Sequence, residues 1–123
     1  MDTPTLIDFS LVLDNFGGDS ELLVNTINLS IKLIPQHLEK IRAAVTANDA
    51  KALEISAHTL KGSLGIYLYQ PIVSTAFELE KMGRNNNLTH SQETFLSLEK
   101  QLALFLRDLS SFSLSNLTPD TSA

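Results

Sequence analysis

The sequence predicts an all-α protein: an antiparallel four-helix bundle with a short extra N-terminal helix. Apolar residues recur every three or four positions along most of the 123-residue chain, which is the spacing of one face of an α-helix. The chain has only five glycines, and four of them stand at positions 17, 18, 62 and 65, so few turn signals remain for β-hairpins. Amphipathic segments of this length with short connections favour a single bundle domain.

The first two helices are predicted from two separate apolar stripes. A short helix is expected over residues 6–15, and the glycine pair after it ends it. Asp19 or Ser20 can then cap the next helix. Its stripe continues in phase through Pro35, which favours one long kinked helix, up to about residue 47, over two separate helices. The stripe consists of Leu23, Ile27, Ile31, Ile34, Leu38, Ile41 and Val45.

Three further helices follow from the same spacing. The third is predicted from about residue 49 to about residue 69, and the fourth from residue 71 to residue 82, with Pro71 in its first turn. Thr89 with Gln92 three positions later resembles a capping box for the last helix. That helix carries a three-four repeat of Phe95, Leu98, Leu102, Phe105, Leu109 and Phe112. We therefore expect the bundle to span residues 1–112 and residues 113–123 to form a polar flexible tail.

The composition excludes several functional classes. Nine Lys and Arg against 14 Asp and Glu give a net charge of −5, whereas a nucleic-acid-binding domain carries a clustered basic face. Without cysteine there is no disulfide, thiolate zinc site or cysteine nucleophile, and the histidines at 37, 58 and 90 lack the spacing of a helical metal site. No apolar run reaches the roughly 18 residues of a membrane span, and the N-terminus does not resemble a secretion signal. We expect a cytoplasmic monomer with no nucleic-acid, membrane or metal partner.

One segment of the third helix, residues 57–65, departs from ordinary bundle patterning. It holds two glycines, each of which lowers helix stability by about 1 kcal/mol relative to alanine. At about 100° per residue, Gly62 and Gly65 lie within about 40° of His58, and Lys61 lies about 60° to one side. The side expected to be buried is apolar and consists of Leu53, Ala57, Leu60, Leu64 and Leu68. His58 is therefore predicted to be exposed, beside a cation and above a strip of bare backbone.

Such a surface is suited to the transfer of an anionic group between proteins. The imidazole of His58 can act as a nucleophile, Lys61 can hold the transferred anion, and the bare strip lets another protein approach. Ile55 and Ile66 flank this face, either packing against the first helix or forming an apolar rim for docking. Tyr69 is predicted on the same face, about three turns from His58. The two glycines could instead allow close packing of a neighbouring helix.

The hexapeptide HTLKGS at residues 58–63 resembles the histidine motif of the histidine-containing phosphotransfer (HPt) domain family. Residues 16–23 resemble the start of the family's second helix and residues 79–84 the end of its fourth, so the resemblance covers roughly residues 6–112. It implies that His58 carries a phosphoryl group and that Lys61 stabilises its charge. Gly62, Gly65, Ile55 and Tyr69 are then the expected docking residues. Leu68 and Tyr69 are bulky where the family has small residues, which is expected to affect the choice of partner.

The resemblance also implies partners and a chemical role. The implied partners are receiver domains of response regulators and a sensor histidine kinase, which can be a hybrid kinase. The chain itself is then a carrier without kinase activity of its own. It needs no cofactor, because Mg²⁺ is expected in the partner receiver domain. The main alternative is a degenerate bundle that binds a receiver or kinase without carrying phosphate. Two other classes of protein fit the sequence less well. The dimerisation helices of a histidine kinase normally have an acidic residue where this chain has Thr59. A plain structural bundle would not explain the two glycines in the middle of the third helix.

Overall fold

Five α-helices account for nearly all of residues 5–116, the part of the chain that the computed structural model describes. They are α1 (Phe9–Asn15), α2 (Ser20–Thr46), α3 (Ala50–Gly65), α4 (Gln70–Arg84) and α5 (Ser91–Ser115). Helix α2 packs on α3 and α5, and α4 packs on the same two helices, so the four long helices enclose one core. The predicted antiparallel four-helix bundle with a short extra helix is confirmed.

The apolar stripes form the core as the periodicity predicts. Helix α2 continues without a break through Pro35, and its stripe residues Leu23, Ile27, Ile34 and Ile41 are fully buried. Five of the six stripe residues of α5 are buried as well: Phe95, Leu98, Leu102, Phe105 and Leu109. A helix buries such a stripe because removing apolar surface from water is favourable.

Carboxylate caps set where two of the long helices begin. Asp19 Oδ1 accepts a hydrogen bond from the backbone N–H of Leu22 at 3.0 Å, as predicted for the start of α2. Asp49 Oδ1 accepts one from the N–H of Ala52 at 3.1 Å at the start of α3. The first turn of each helix has free N–H groups, and these side chains satisfy one of them.

The predicted start of α1 at residue 6 is wrong by three residues. The backbone N–H groups of Leu6 and Ile7 donate to Oδ2 of the buried Asp108 on α5, at 2.5 and 3.2 Å, so this segment is held outside the helix. Asp8 then caps α1 by accepting from the N–H of Leu11 at 3.2 Å. Phe9 stacks on Phe112 with ring centroids 4.3 Å apart, which fixes α1 against α5.

Helix α3 ends at Gly65, four residues before the predicted end, and this changes the position of Tyr69. Tyr67 is fully buried and meets Phe105 edge-on, with ring centroids 5.6 Å apart. The next residue, Leu68, has a left-handed φ of 59°, which a right-handed helix cannot accommodate. Leu68 is therefore exposed rather than buried. Tyr69 is the N-cap residue of α4, and its half-buried ring lies 6.5 Å from Phe105. The prediction that Tyr69 shares the face of His58 is wrong.

The two ends of α5 also differ from the prediction. Thr89 does not form a capping box; its hydroxyl donates to Asn87 Oδ1 at 2.9 Å, and the N-cap residue is His90. At the other end the helix reaches Ser115, and the buried Ser113 donates to Asn28 Oδ1 on α2 at 2.6 Å. Residues 113–115, which were predicted to belong to the polar tail, are thus helical, and residues 117–123 lie outside the described part of the chain.

Gly83 sets the distance between α3 and α4. A Cβ atom placed at this position would lie 2.5 Å from the backbone nitrogen of Glu54 and 2.6 Å from the carbonyl oxygen of Ala50. Such distances are well inside van der Waals contact, so only glycine allows the two backbones to approach this closely. The corresponding position at Gly62 has no atom within 4 Å.

We expect Gly83→Ala to destabilise the bundle by about 1–3 kcal/mol, because the added methyl group must push α3 and α4 apart. Gly62→Ala is the matched control, since it adds the same methyl group to an open position inside a helix and should stabilise the fold by about 1 kcal/mol. Urea unfolding of both variants measures the difference. Equal effects of the two substitutions would contradict the packing role of Gly83.

Candidate functional site

His58 lies in the middle of α3 on the side that faces water. Its side chain is 67% exposed, while Leu53, Ala57, Leu60 and Leu64 on the other side of the helix are fully buried. This agrees with the orientation that the helical spacing predicts. The imidazole is therefore accessible to a partner from solvent.

Gly62 and Gly65 leave the surface beside His58 without side chains. Both residues are exposed, and a Cβ atom at either position would meet no atom within 4 Å. The alternative that these glycines allow a neighbouring helix to pack closely is therefore wrong. Ile55 is 56% and Ile66 40% exposed, so neither is buried against α1. We use "His58 surface" for His58, Gly62, Gly65, Ile55 and Ile66, the exposed α3 face and its C-cap.

A buried carboxylate on α4 lies directly against the imidazole. Glu80 is only 4% exposed, and its Oε2 is 3.1 Å from Nδ1 of His58. Lys61 Nζ lies 2.7 Å from the other oxygen, Oε1, and Arg84 Nη2 donates to Oε2 at 2.5 Å. Three groups from two helices thus converge on one carboxylate.

These contacts decide the charge of Glu80. Burial alone would raise the pKa of the carboxyl, but the contacts and charges of Lys61 and His58 outweigh burial, and the pKa of Glu80 is lowered overall. An ionised carboxylate only accepts hydrogen bonds, so Nδ1 of His58 must carry the proton and donate it. When the imidazole is neutral, the second ring nitrogen, Nε2, then keeps a free lone pair.

Lys61 is held in place rather than free in solvent. Its side chain is 27% exposed, and Nζ lies 4.6 Å from the ring centroid of Phe77 in addition to its contact with Glu80. Lys81 Nζ approaches the same ring at 4.9 Å. The predicted cation beside His58 is thus present, but part of its charge is already balanced by Glu80.

The ion network continues away from His58 along both helices. Arg84 Nε lies 3.4 Å from Glu54 Oε2, and Lys51 Nζ lies 3.6 Å from Glu54 Oε1. An open cavity of about 340 Å³ lies over this network, lined by Lys51, Glu54, Ile55, His58, Thr59, Glu80 and Arg84. Among residues 5–116, no group of three or more His, Asp or Glu side chains could hold a metal ion.

The structure brings together most, but not all, of the residues singled out in the sequence. His58, Lys61, Gly62, Gly65 and Ile55 share one exposed region, whereas Tyr69 belongs to the start of α4. Glu80 and Arg84 were not predicted as site residues. A signal was available, because Glu80 stands four positions after the buried Ala76 on α4, where an apolar residue would be expected.

Comparison with known proteins identifies the family. The Hpt domain model matches residues 27–111, so the chain belongs to the Hpt domain family. Members of this family are phosphocarrier proteins rather than enzymes, and they interact with receiver domains and kinases in phosphorelays. The chain therefore has a phosphotransfer role in general terms.

A solved structure supports the fold. The crystal structure of histidine-containing phosphotransfer protein B (HptB) from Pseudomonas aeruginosa PAO1 is similar with a TM-score of 0.83 and 18% sequence identity, over 92% of this chain and 98% of that chain. At this identity the similarity concerns the fold. No curated protein matches the sequence. None of the helices within residues 5–116 is long and apolar enough to cross a membrane.

The lowered pKa of Glu80 gives the bundle a defined response to acid. A carboxyl group whose pKa is lower in the folded than in the unfolded state stabilises the fold when the pH is above the pKa of the unfolded state. This contribution disappears as the pH falls through the pKa of the folded state. We expect the free energy of unfolding to fall below about pH 4.5. Glu80→Gln should lower stability at neutral pH by about 1 kcal/mol and flatten this acid dependence. Urea unfolding at several pH values measures both.

Glu78→Gln is the matched control for that experiment. Glu78 lies two positions earlier on α4, is 56% exposed and contacts Lys81 at 3.4 Å, so the substitution removes the same charge from the surface. The control should keep the acid dependence of the unmodified protein. If Glu80→Gln keeps it as well, Glu80 does not form the predicted ion contacts in solution.

Proposed function

We propose that this chain is a phosphorelay intermediate in which Nε2 of His58 accepts a phosphoryl group from a receiver aspartate or a sensor kinase and passes it to another receiver. The observation that carries this proposal is the exposed imidazole whose Nδ1 is engaged by the buried Glu80. That contact leaves the lone pair of Nε2 as the nucleophile. Membership of the Hpt domain family supports the same reaction class.

The proposed transfer needs no proton movement on the bundle. The lone pair of Nε2 attacks phosphorus in line, the N–P bond forms, and the P–O bond to the receiver aspartate breaks, so that the aspartate leaves as a carboxylate. The Nδ1 proton stays in its hydrogen bond with Glu80 Oε2. The second transfer reverses these steps toward another aspartate. The receiver holds the Mg²⁺, and this chain contributes a positioned nucleophile.

Lys61 is the residue that we assign to phosphoryl charge. It follows His58 by three positions on α3 and therefore lies on the adjacent part of the helix surface. Its ammonium is anchored by Glu80 at 2.7 Å and by the ring of Phe77, so it needs little reorganisation to meet incoming oxygens. Arg84, 49% exposed and bound to the same carboxylate, adds a second cation.

The His58 surface is the proposed docking site for the receiver. The bare backbone at Gly62 and Gly65 lets a partner bring its aspartate to within about 3 Å of the imidazole, which in-line transfer requires. Ile55 and Ile66 provide exposed apolar contacts at its two ends. We expect the chain to act as a monomer in the cytoplasm.

His58→Gln should abolish phosphoryl acceptance while the helical content and the melting temperature change little, because the side chain is exposed. The measurement is incubation with a phosphorylated receiver domain, followed by mapping of the acid-labile phosphate. His90→Gln is the control, since His90 is also exposed but lies at the start of α5. Labelling retained in His58→Gln would contradict the proposed phosphosite, and receiver binding without any labelling of the unmodified protein would favour the adaptor alternative.

Gly62→Leu should separate stability from function. Leucine favours a helix over glycine by close to 1 kcal/mol, and the position is open, so thermal unfolding should occur at the same or a higher temperature. The side chain would stand one turn from His58, and phosphotransfer should be largely lost because the receiver cannot approach. Gly62→Ala, which adds only a methyl group, should retain more transfer. Normal transfer by Gly62→Leu would place the docking surface elsewhere.

A further inference from the structure

We propose that Phe77 and Lys81 of α4 form a second part of the docking site, which binds the acidic face of a receiver domain around its acceptor aspartate. This inference rests on the proposed function, because it takes the receiver as the partner. The His58 surface consists of α3 and its C-cap alone, so the proposal adds a contact on the neighbouring helix. We use "α4 patch" for Phe77 and Lys81.

Two ammonium groups lie against the exposed ring of Phe77. Lys61 Nζ is 4.6 Å and Lys81 Nζ is 4.9 Å from the ring centroid, and Phe77 is 37% exposed. Lys61 also contacts Glu80, the carboxylate that lies 3.1 Å from Nδ1 of His58. A short series of direct contacts, through Lys61 and Glu80, thus joins the α4 patch to the imidazole.

The ring attracts both ammonium groups without neutralising them. The face of an aromatic ring is electron-rich and attracts a cation, but the ring carries no formal charge. Lys81 contacts one carboxylate, Glu78 Oε2 at 3.4 Å, and the two side chains are 44% and 56% exposed, so this pair contributes little in water. Lys81 can therefore exchange Glu78 for a carboxylate of a partner protein.

The α4 patch lies in the positively charged part of the chain. Helices α3 and α4 carry four of the nine Lys and Arg residues but only three of the 14 Asp and Glu residues. Their net charge is thus +1, whereas that of the whole chain is −5. An acidic surface is repelled by the rest of this protein and attracted to the side formed by α3 and α4, which orients the encounter.

A receiver domain has the chemistry that this surface fits. Its acceptor group is an aspartate, and the Mg²⁺ expected beside that aspartate is bound through carboxylates. Carboxylate oxygens accept strong hydrogen bonds from an ammonium group such as that of Lys81. The exposed ring of Phe77 adds aromatic contact area, which protein interfaces favour.

Lys81→Gln tests the α4 patch through the concentration dependence of transfer. The rate of transfer from a phosphorylated receiver domain is measured against the receiver concentration, which separates the half-saturating concentration from the maximal rate. We expect the half-saturating concentration to rise about threefold to fivefold at about 0.05 M salt, with the maximal rate unchanged, because Lys81 contacts the partner and not the reacting atoms. The difference should shrink at about 0.5 M salt, where surface charges are screened.

Lys100→Gln is the matched control. It removes the same charge from an exposed position on α5, so it changes the net charge equally and leaves the α4 patch intact. Both kinetic parameters should match those of the unmodified protein. An equal rise of the half-saturating concentration in both variants would overturn the proposal, since net charge alone would explain it. An unchanged value in Lys81→Gln, or a loss confined to its maximal rate, would overturn it as well.

Substitutions of Phe77 test whether the ring and Lys81 act together. Phe77→Tyr keeps an aromatic ring and should leave the half-saturating concentration unchanged, whereas Phe77→Leu keeps only an apolar side chain and should raise it about threefold. Phe77→Leu added to Lys81→Gln should raise it by less than the product of the two single effects. Effects that multiply would contradict the joint action of the two residues.

A measurement on the unmodified protein needs no variant. Nuclear magnetic resonance of the isotope-labelled chain, titrated with an unphosphorylated receiver domain and Mg²⁺, follows each backbone amide. We expect shifts at residues 77–81 in addition to residues 55–66, and shifts confined to α2 and α3 would overturn the α4 patch. If the receiver binds at both places but His58 takes up no phosphoryl group, the proposed function fails while this inference stands.

Discussion

Glu80 carries its charge with almost no contact with water, and it can do so only because cations from two helices reach it. Burial alone would raise the pKa of this carboxyl, since burial disfavours the charged form. Lys61 and His58 of α3 lower its pKa, and Arg84 of α4 binds the same group. The ionised carboxylate in turn decides which nitrogen of His58 holds the proton. The ion contacts of Glu80 therefore link the packing of α3 on α4 to the position of the proton on the exposed imidazole of His58.

That contact depends on how closely the two helices approach. Gly83 follows Glu80 by three positions, and the backbone of α3 occupies the space that a side chain there would need. A wider separation would lengthen the 2.7 and 3.1 Å contacts of Glu80 with Lys61 and His58. Gly62 has the opposite surroundings, since it faces open space. Glycine thus allows the close packing of two backbones on α4 and leaves the surface beside His58 open on α3.

The fold and the orientation of α3 could be predicted because both depend on spacing along a single helix. The stripe of α2 kept its phase through Pro35, and the face opposite Leu60 proved to be the exposed one. Tyr69 was misplaced because Leu68 turns left-handed beside the buried Tyr67, and leucine gives no local signal for that conformation. Glu80 was missed for a different reason. The helical spacing of α3 does not show which side chain of α4 meets His58, and that pairing is fixed only when the helices pack.

The contact of Asp108 with the N-terminal segment constrains the order in which the chain can assemble. Its carboxylate accepts from the backbone of Leu6, a residue 102 positions earlier, and Phe9 stacks on Phe112 of the same last helix. Closing so long a loop costs conformational entropy, so we expect these contacts to form after the local helical contacts. During synthesis residues 6–9 leave the ribosome before α5, so their binding site is made after them. We therefore expect α1 to be secured only after α5 has packed onto the other long helices.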